Sequence, residues 1–178
     1  RMVRAIVDIY KVKDLASLRS QVKKVIRELR DSYDGQKNSR EIQQLKGMLR
    51  EFEEELVWAH FGVQVKNVNH LRLGFYTGDI FTEQPEPERD VMPVLKMLRE
   101  KKPTVVSLAL DPEGSGPDTH YKVLQVIAEA IRMWQKEEDL SRLRIIGYRN
   151  VWYRFHPAEA DVIVPVSLNS LAIMEDAF

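Results

Sequence analysis

The residues best suited to chemistry lie in 108–124 (LALDPEGSGPDTHYKVL), where an apolar segment runs through a turn into a helix. Two acids and a histidine, Asp111, Asp118 and His120, flank a turn rich in glycine and proline. Asp118 is a natural N-cap, which places His120 in the first turn of the helix. Because the positive end of the helix dipole disfavours an imidazolium, His120 is expected to be neutral and able to bind a metal ion such as zinc.

A structural interpretation of the same segment is simpler, and spacing alone favours it. Asp118 then only caps the helix, and His120 is a surface residue. One histidine does not make a catalytic zinc site, which usually needs three protein ligands and an open position. No recognised cluster is formed by the other histidines, His60, His70 and His156. Each of them is expected to be packed or on the surface.

A second group of basic and aromatic residues lies in 148–167 (YRNVWYRFHPAEADVIVPVS). Arginine can hold a phosphate by paired hydrogen bonds, and tryptophan can stack on the face of a sugar. An edge strand whose aromatic residues cover the core explains the same composition, and we favour that interpretation. The sequence shows neither a Ser–His–Asp pattern nor a basic and aromatic pattern for reading nucleic acid.

The composition excludes several classes of function. The chain has 178 residues, and its 27 Lys and Arg balance its 27 Asp and Glu, so the formal net charge is zero. This balance argues against nucleic acid or an anionic membrane as a partner. The absence of cysteine excludes thiolate metal sites and a cysteine nucleophile, and it is compatible with the cytoplasmic location that we expect. No apolar run approaches the roughly 20 residues of a membrane span.

Helices and strands alternate along the second half of the chain. Apolar residues at three- and four-residue steps predict helices after Asp14, from Asn38 with Glu41 completing a capping box, over 88–101, after Asp118 and from Leu168. The apolar positions of 1–12 fit both a helix and a strand, and we favour a helix. Short apolar or alternating runs predict strands over 68–73, 104–110, 143–149 and 160–166. The strand over 104–110 is expected to be buried on both faces.

This alternation predicts an α/β, Rossmann-like layered fold with a largely parallel sheet. Such sheets bind ligands outside the carboxyl ends of their strands, where the segment 108–124 is expected to lie. Few strands are visible for a doubly wound sheet, so the first βαβ unit is expected to be absent. We therefore interpret 1–178 as a single domain and, since the chain starts with Arg1, as a C-terminal fragment of a longer protein.

Three parts of the sequence resemble one family. The segment 108–124 is similar to the second metal motif of PIG-L/LmbE-type deacetylases, zinc-dependent enzymes that remove acetyl groups from N-acetylglucosaminyl substrates. The segment 148–170 resembles the end of the LmbE-like domain in bacterial glucosamine-6-phosphate deaminase-like proteins. LKGMLREFEEE, followed by VNHLRLGFY, occupies the place of a helix and a strand in that subgroup.

The resemblance implies roles for individual residues. His120 matches the zinc-ligating histidine of the second motif, and Asp111 matches an acid at the strand end near the substrate. Tyr76 and Arg149 fall at the edges of the implied pocket. The family's first motif, His-Pro-Asp-Asp, supplies two zinc ligands and the general base, and this chain does not contain it. The family's second histidine, three residues before the ligand, is replaced here by Pro117.

Two functions follow from these observations. The first is an LmbE-like, zinc-dependent deacetylase domain that acts on an N-acetylglucosamine-type sugar or sugar phosphate and is incomplete in this chain. The alternative is a non-catalytic module that binds a sugar phosphate. Either function takes a small-molecule amino sugar and involves neither nucleic acid nor a membrane. A sheet that lacks strands exposes apolar surface, so self-association or contact with a missing N-terminal domain is expected.

Overall fold

A computed structural model of the chain describes residues 2–75, 82–110, 118–149 and 154–177. The helices and strands in chain order are α1 (Met2–Tyr10), α2 (Leu15–Asp31), α3 (Arg40–His60), α4 (Met92–Lys101), β1 (Val105–Ala109), α5 (Asp118–Trp134), β2 (Arg144–Tyr148) and α6 (Leu168–Ala177). The chain divides into two compact units, Arg1–His70 with Pro165–Phe178, and Leu71–Val164. Within the described ranges, no helix is both long and apolar enough to cross a membrane. The prediction that 1–178 folds as a single domain stays a prediction.

The first unit is helical, and its core lies where α1 packs against α2 and α3. The helix predicted over the first twelve residues is confirmed as α1. The buried residues of this core are Ala5, Ile6, Val25, Ile42 and Leu45. Ile42 and Leu45 are three residues apart in α3, and the partly buried Ile9 follows Ile6 at the same spacing in α1, so the amphipathic pattern in the sequence corresponds to the buried faces.

The starts of α2 and α3 differ in how they are capped. Asp14 caps α2 as predicted, since its Oδ1 accepts a hydrogen bond from the Ser17 amide at 2.9 Å. The predicted capping box of α3 is wrong, because the helix begins after Ser39, whose side chain makes no capping hydrogen bond. The Asn38 side-chain amide instead donates to the Gln36 carbonyl oxygen at 3.5 Å.

The second unit contains a parallel sheet of two strands, with α5 between them in sequence. Val105 pairs with Arg144 and Ala109 with Tyr148, so β1 and β2 run in register over their whole length. The core packs α4 and α5 together with parts of the sheet, and its buried residues are Phe75, Val91, Val94, Leu95, Leu98, Val126, Ala130 and Trp134. The predicted α/β class and parallel sheet are confirmed, and the arrangement is compatible with a Rossmann-like fold that lacks part of its sheet.

A buried carboxylate stabilises the π-helical turn Pro87–Val91 that leads into α4. Asp90 is completely buried and accepts hydrogen bonds from the backbone amides of Gly74, at 2.6 Å, and Glu86, at 2.8 Å. The Arg89 guanidinium donates two more, at 3.0 and 3.1 Å. Burial acts to raise the pKa of Asp90, but these donors outweigh it, so the pKa lies below its ordinary value.

Three expectations about strands are wrong. Residues 68–73 form no strand, and Arg72 has a φ of 50°, which breaks the alternation of side chains that a strand needs. Residues 160–166 form no strand either, and Pro165 has no N–H to donate to a ladder. Strand β1 is not buried on both faces, since Val105 is 46% exposed. The reason is that the described sheet has only two strands and one covered face.

Candidate functional site

The carboxyl ends of β1 and β2 lie at one edge of the sheet because the two strands are parallel. The Leu110 amide continues the ladder beyond β1, since it donates to the Tyr148 carbonyl oxygen at 2.7 Å. Arg149 directly follows β2, and His120 lies in the first turn of α5, the helix after β1. Arg149 therefore lies just beyond the edge at which α/β sheets bind their ligands, whereas His120 is joined to β1 through 111–117, which lie outside the described residues.

Two further predicted residues, Asp111 and Tyr76, lie outside the described residues, as does Pro117. The roles that the resemblance implies for Asp111 and Tyr76 near a substrate therefore stay predictions.

Arg149 has a partly buried guanidinium group whose hydrogen bonding is incomplete. Its Nη1 donates to the Arg154 carbonyl oxygen at 3.3 Å, and its Cζ lies 4.4 Å from the centroid of the Phe155 ring. The Nε atom is buried and has no hydrogen-bond partner among the residues that the structure describes. A buried donor without an acceptor costs free energy, which a ligand oxygen placed there would recover.

Several other arginines in the unit of Arg149 have carboxylate partners. Arg99 pairs with Glu137 and Arg132 with Glu129, each through two hydrogen bonds. Within the ranges that the structure describes, Arg149 has no carboxylate partner. A cation at the carboxyl edge of a parallel sheet, fixed by an aromatic ring and lacking a counter-ion, is suited to bind an anion.

His120 is partly exposed, and its surroundings do not by themselves supply a metal site. In the described part of the chain, no group of three or more histidine, aspartate or glutamate side chains is close enough together to hold a metal ion. Zinc in a catalytic site usually has three protein ligands, so His120 would need two from elsewhere. The described residues thus do not fit the zinc that the resemblance implies.

A buried lysine that sequence reasoning missed lies two residues after His120. Lys122 is 2% exposed, and its Nζ donates to Asp118 Oδ2 at 2.5 Å and to Thr82 Oγ1 at 2.6 Å. Asp118 also accepts from the Thr82 hydroxyl at 2.9 Å. The pKa of Asp118 is lowered, first by the hydrogen bond from Lys122 and then by that from Thr82. These bonds fix the start of α5, the helix that carries His120.

The other histidines have structural surroundings, in line with the expectation for them. His60 ends α3 and is exposed, and the Nε2 atom of His70 lies 3.8 Å from Glu55 Oε1. His156 caps the short helical turn Pro157–Glu159, since its Nδ1 accepts from the Ala158 amide at 3.2 Å. The His-Pro pair of this chain is therefore the start of a helical turn.

Comparison with known proteins finds a similar protein in Bacteroides thetaiotaomicron, named as a glucosamine-6-phosphate deaminase-like protein. The match is 30% identical over 149 residues, which is 80% of this chain and 22% of the relative. No family model matches the chain, and no solved structure matches it. Most of this chain is therefore similar to about one fifth of a much longer protein whose name refers to an amino-sugar phosphate.

Proposed function

We propose that this chain binds a phosphorylated amino sugar at the carboxyl edge of the β1–β2 sheet, with Arg149 holding the phosphate. The observation that carries the proposal is the buried Nε of Arg149, which has no acceptor while the Phe155 ring fixes the guanidinium. A phosphate oxygen would accept from Nε, and a second oxygen of the same group would accept from a terminal nitrogen.

The chemistry of the guanidinium favours a phosphate over an uncharged sugar. An unpaired cation that is already partly desolvated gains more from an anion than from a hydroxyl, because the interaction is charge-assisted and less screened than in bulk water. Phe155 occupies one face of the guanidinium, so its edge is the part left to bind a ligand.

The amino-sugar part of the proposal is supported by the relative. The name of that protein refers to glucosamine 6-phosphate, and the matched region covers most of this chain. A phosphorylated amino sugar also agrees with the anion site that Arg149 provides.

Calorimetric titration tests this function. The chain is expected to bind glucosamine 6-phosphate and N-acetylglucosamine 6-phosphate, and to bind glucosamine at least about tenfold more weakly because the charge-assisted bonds to phosphate are lost. Equal affinity for glucosamine and its phosphate, or no binding of either phosphate, would contradict the proposal.

A second candidate is hydrolysis of the N-acetyl group by a zinc-dependent site that includes His120. It is supported by the position of His120 in the first turn of α5, the helix that follows β1. Analysis of the bound metal separates the two candidates. If the chain is a deacetylase, the wild type should retain zinc and His120→Ala should lose it. If it is a binding module, the wild type and His120→Ala should contain equal, substoichiometric amounts of zinc.

A further inference from the structure

The segment 161–166 (DVIVPV) exposes a run of apolar side chains. Val162 is 55% exposed, Ile163 74%, Val164 73% and Val166 60%. Adjacent exposed β-branched residues are unusual on the surface of a protein that works alone, because each leaves apolar area in water. This segment is therefore suited to be covered by a partner.

The backbone of the same segment is unpaired. None of the groups in 161–166 takes part in a hydrogen bond among the described residues. Ala160, just before it, is extended, with φ −86° and ψ 115°. Pro165 biases Val164 toward extended backbone as well. The segment thus has the composition, the side-chain exposure and the free amides of a strand that lacks a sheet.

The β1–β2 sheet of the same chain has an edge to which a strand could be added. Strand β2 pairs with β1 on one side, and in the described parts of the chain no strand pairs with its other side. Ile145, near the start of β2, is 56% exposed. An open edge beside an exposed apolar residue is a template for adding a strand.

We propose that the segment 161–166 of one copy of this chain adds as a parallel strand to the free edge of β2 in a second copy. A register that places Asp161 beside Arg144 also places Val162 beside Ile145 and Ile163 beside Ile146. This register joins an acid to an exposed arginine that has no ion pair in the structure, and it covers exposed apolar residues on both chains.

We infer that the partner is a second copy of this chain because each copy carries both the segment 161–166 and the free edge of β2. Two copies can exchange their segments reciprocally, which closes the assembly as a two-fold dimer and leaves neither β2 edge open. The four residues before Pro165 are close in length to the five-residue β2, so the proline falls where pairing would end.

Light scattering and sedimentation of the whole chain test the proposal. The wild-type chain is expected to be a dimer whose dissociation constant rises about tenfold in Asp161→Arg and in Arg144→Asp, since each substitution places like charges together at both symmetric contacts. The double variant Asp161→Arg/Arg144→Asp restores opposite charges and is expected to recover the wild-type constant.

Hydrogen exchange adds a readout of the strand itself. The amides within 162–164 that face β2, which alternate along the added strand, are expected to exchange slowly in the dimer and quickly when Asp161→Arg dissociates it. Both substituted side chains are exposed, so the circular dichroism spectrum should match that of the wild type. A monomeric wild type, a dimer unaffected by the single substitutions, or a double variant that is not rescued would overturn the proposal. A monomer in which these amides are protected would indicate pairing within one chain and would overturn it too.

Discussion

The guanidinium carbon of Arg149 lies 4.4 Å from the centroid of the Phe155 ring, six residues along the chain. The ring fixes a cation that has no carboxylate partner among the described residues and whose Nε is buried without an acceptor. A structural arginine would normally have these donors paired. The geometry therefore favours a binding role for Arg149 at the carboxyl edge of the sheet.

Phe155 is expected to contribute to ligand affinity by holding Arg149 in place. Phe155→Leu keeps an apolar side chain but removes the ring, so the affinity for glucosamine 6-phosphate should fall about threefold. Phe155→Tyr retains the ring and is the matched control, which should bind as the wild type does. Calorimetric titration measures both, and equal losses in the two variants would contradict a role for the aromatic ring.

Asp90 is expected to be essential for the stability of the second unit. Asp90→Asn replaces one acceptor oxygen by a donor beside Arg89 and two backbone amides, which should lower the free energy of unfolding by about 2–3 kcal/mol. Urea denaturation measures this change. The exposed Glu100→Gln serves as the control and should change stability by less than about 0.5 kcal/mol. Similar small effects of both substitutions would show that the buried carboxylate is dispensable.

The ion pair of Asp118 and Lys122 should give a defined pH dependence. The pKa of Asp118 is lowered by hydrogen bonds from Lys122 and Thr82, so its stabilising effect is present above the unfolded-state pKa and is lost as the pH falls through the folded-state pKa. Asp118→Asn should therefore unfold at less urea than the wild type at about pH 7, and this difference should shrink toward about pH 2.5.

The matched control for this pH series is Asp34→Asn, which removes an exposed carboxylate that has no hydrogen bond or ion pair within the described part of the chain. Its urea midpoint should follow that of the wild type throughout. A difference between the wild type and Asp118→Asn that stays constant with pH would contradict the assigned role of the Asp118 charge.

Two glycines should respond oppositely to substitution by alanine. A Cβ at Gly147 would lie 2.8 Å from Leu110 Cδ2, so Gly147→Ala should lower the free energy of unfolding by about 1–2 kcal/mol. A Cβ at Gly47, within α3, would have no heavy atom within 4 Å. Gly47→Ala should therefore raise the free energy of unfolding by about 0.5–1 kcal/mol. Thermal and urea unfolding measure both, and changes of the same sign would contradict the packing described at β2.

Local features of this fold could be predicted from the sequence. Sequence patterns within single segments predict the Asp14 cap, the helices and the strands β1 and β2. Such patterns depend on only a few neighbouring residues. The strand predicted over 143–149 includes Arg149, which lies just after the end of β2, so the sequence located this residue to within one position.

Features that depend on distant contacts could not be predicted in this way. Lys122 is buried because Thr82, 40 residues earlier, accepts from its Nζ, and nothing near Lys122 in sequence indicates this. The 161–166 segment has the composition of a strand, but whether a strand forms depends on a partner edge that the pattern does not reveal. The backbone at Arg72 likewise adopts a positive φ that no residue type around it requires.

The affinity of Arg149 variants for glucosamine 6-phosphate tests the central claim most directly. Arg149→Met removes the cation beyond the carboxyl end of β2, whereas Arg142→Met removes an exposed one before the strand begins. Calorimetric titration is expected to show about tenfold or greater loss of affinity in Arg149→Met, unchanged affinity in Arg142→Met, and near-equal weak binding of glucosamine by all three proteins. Equal affinities of Arg149→Met and the wild type for the phosphate would contradict the account.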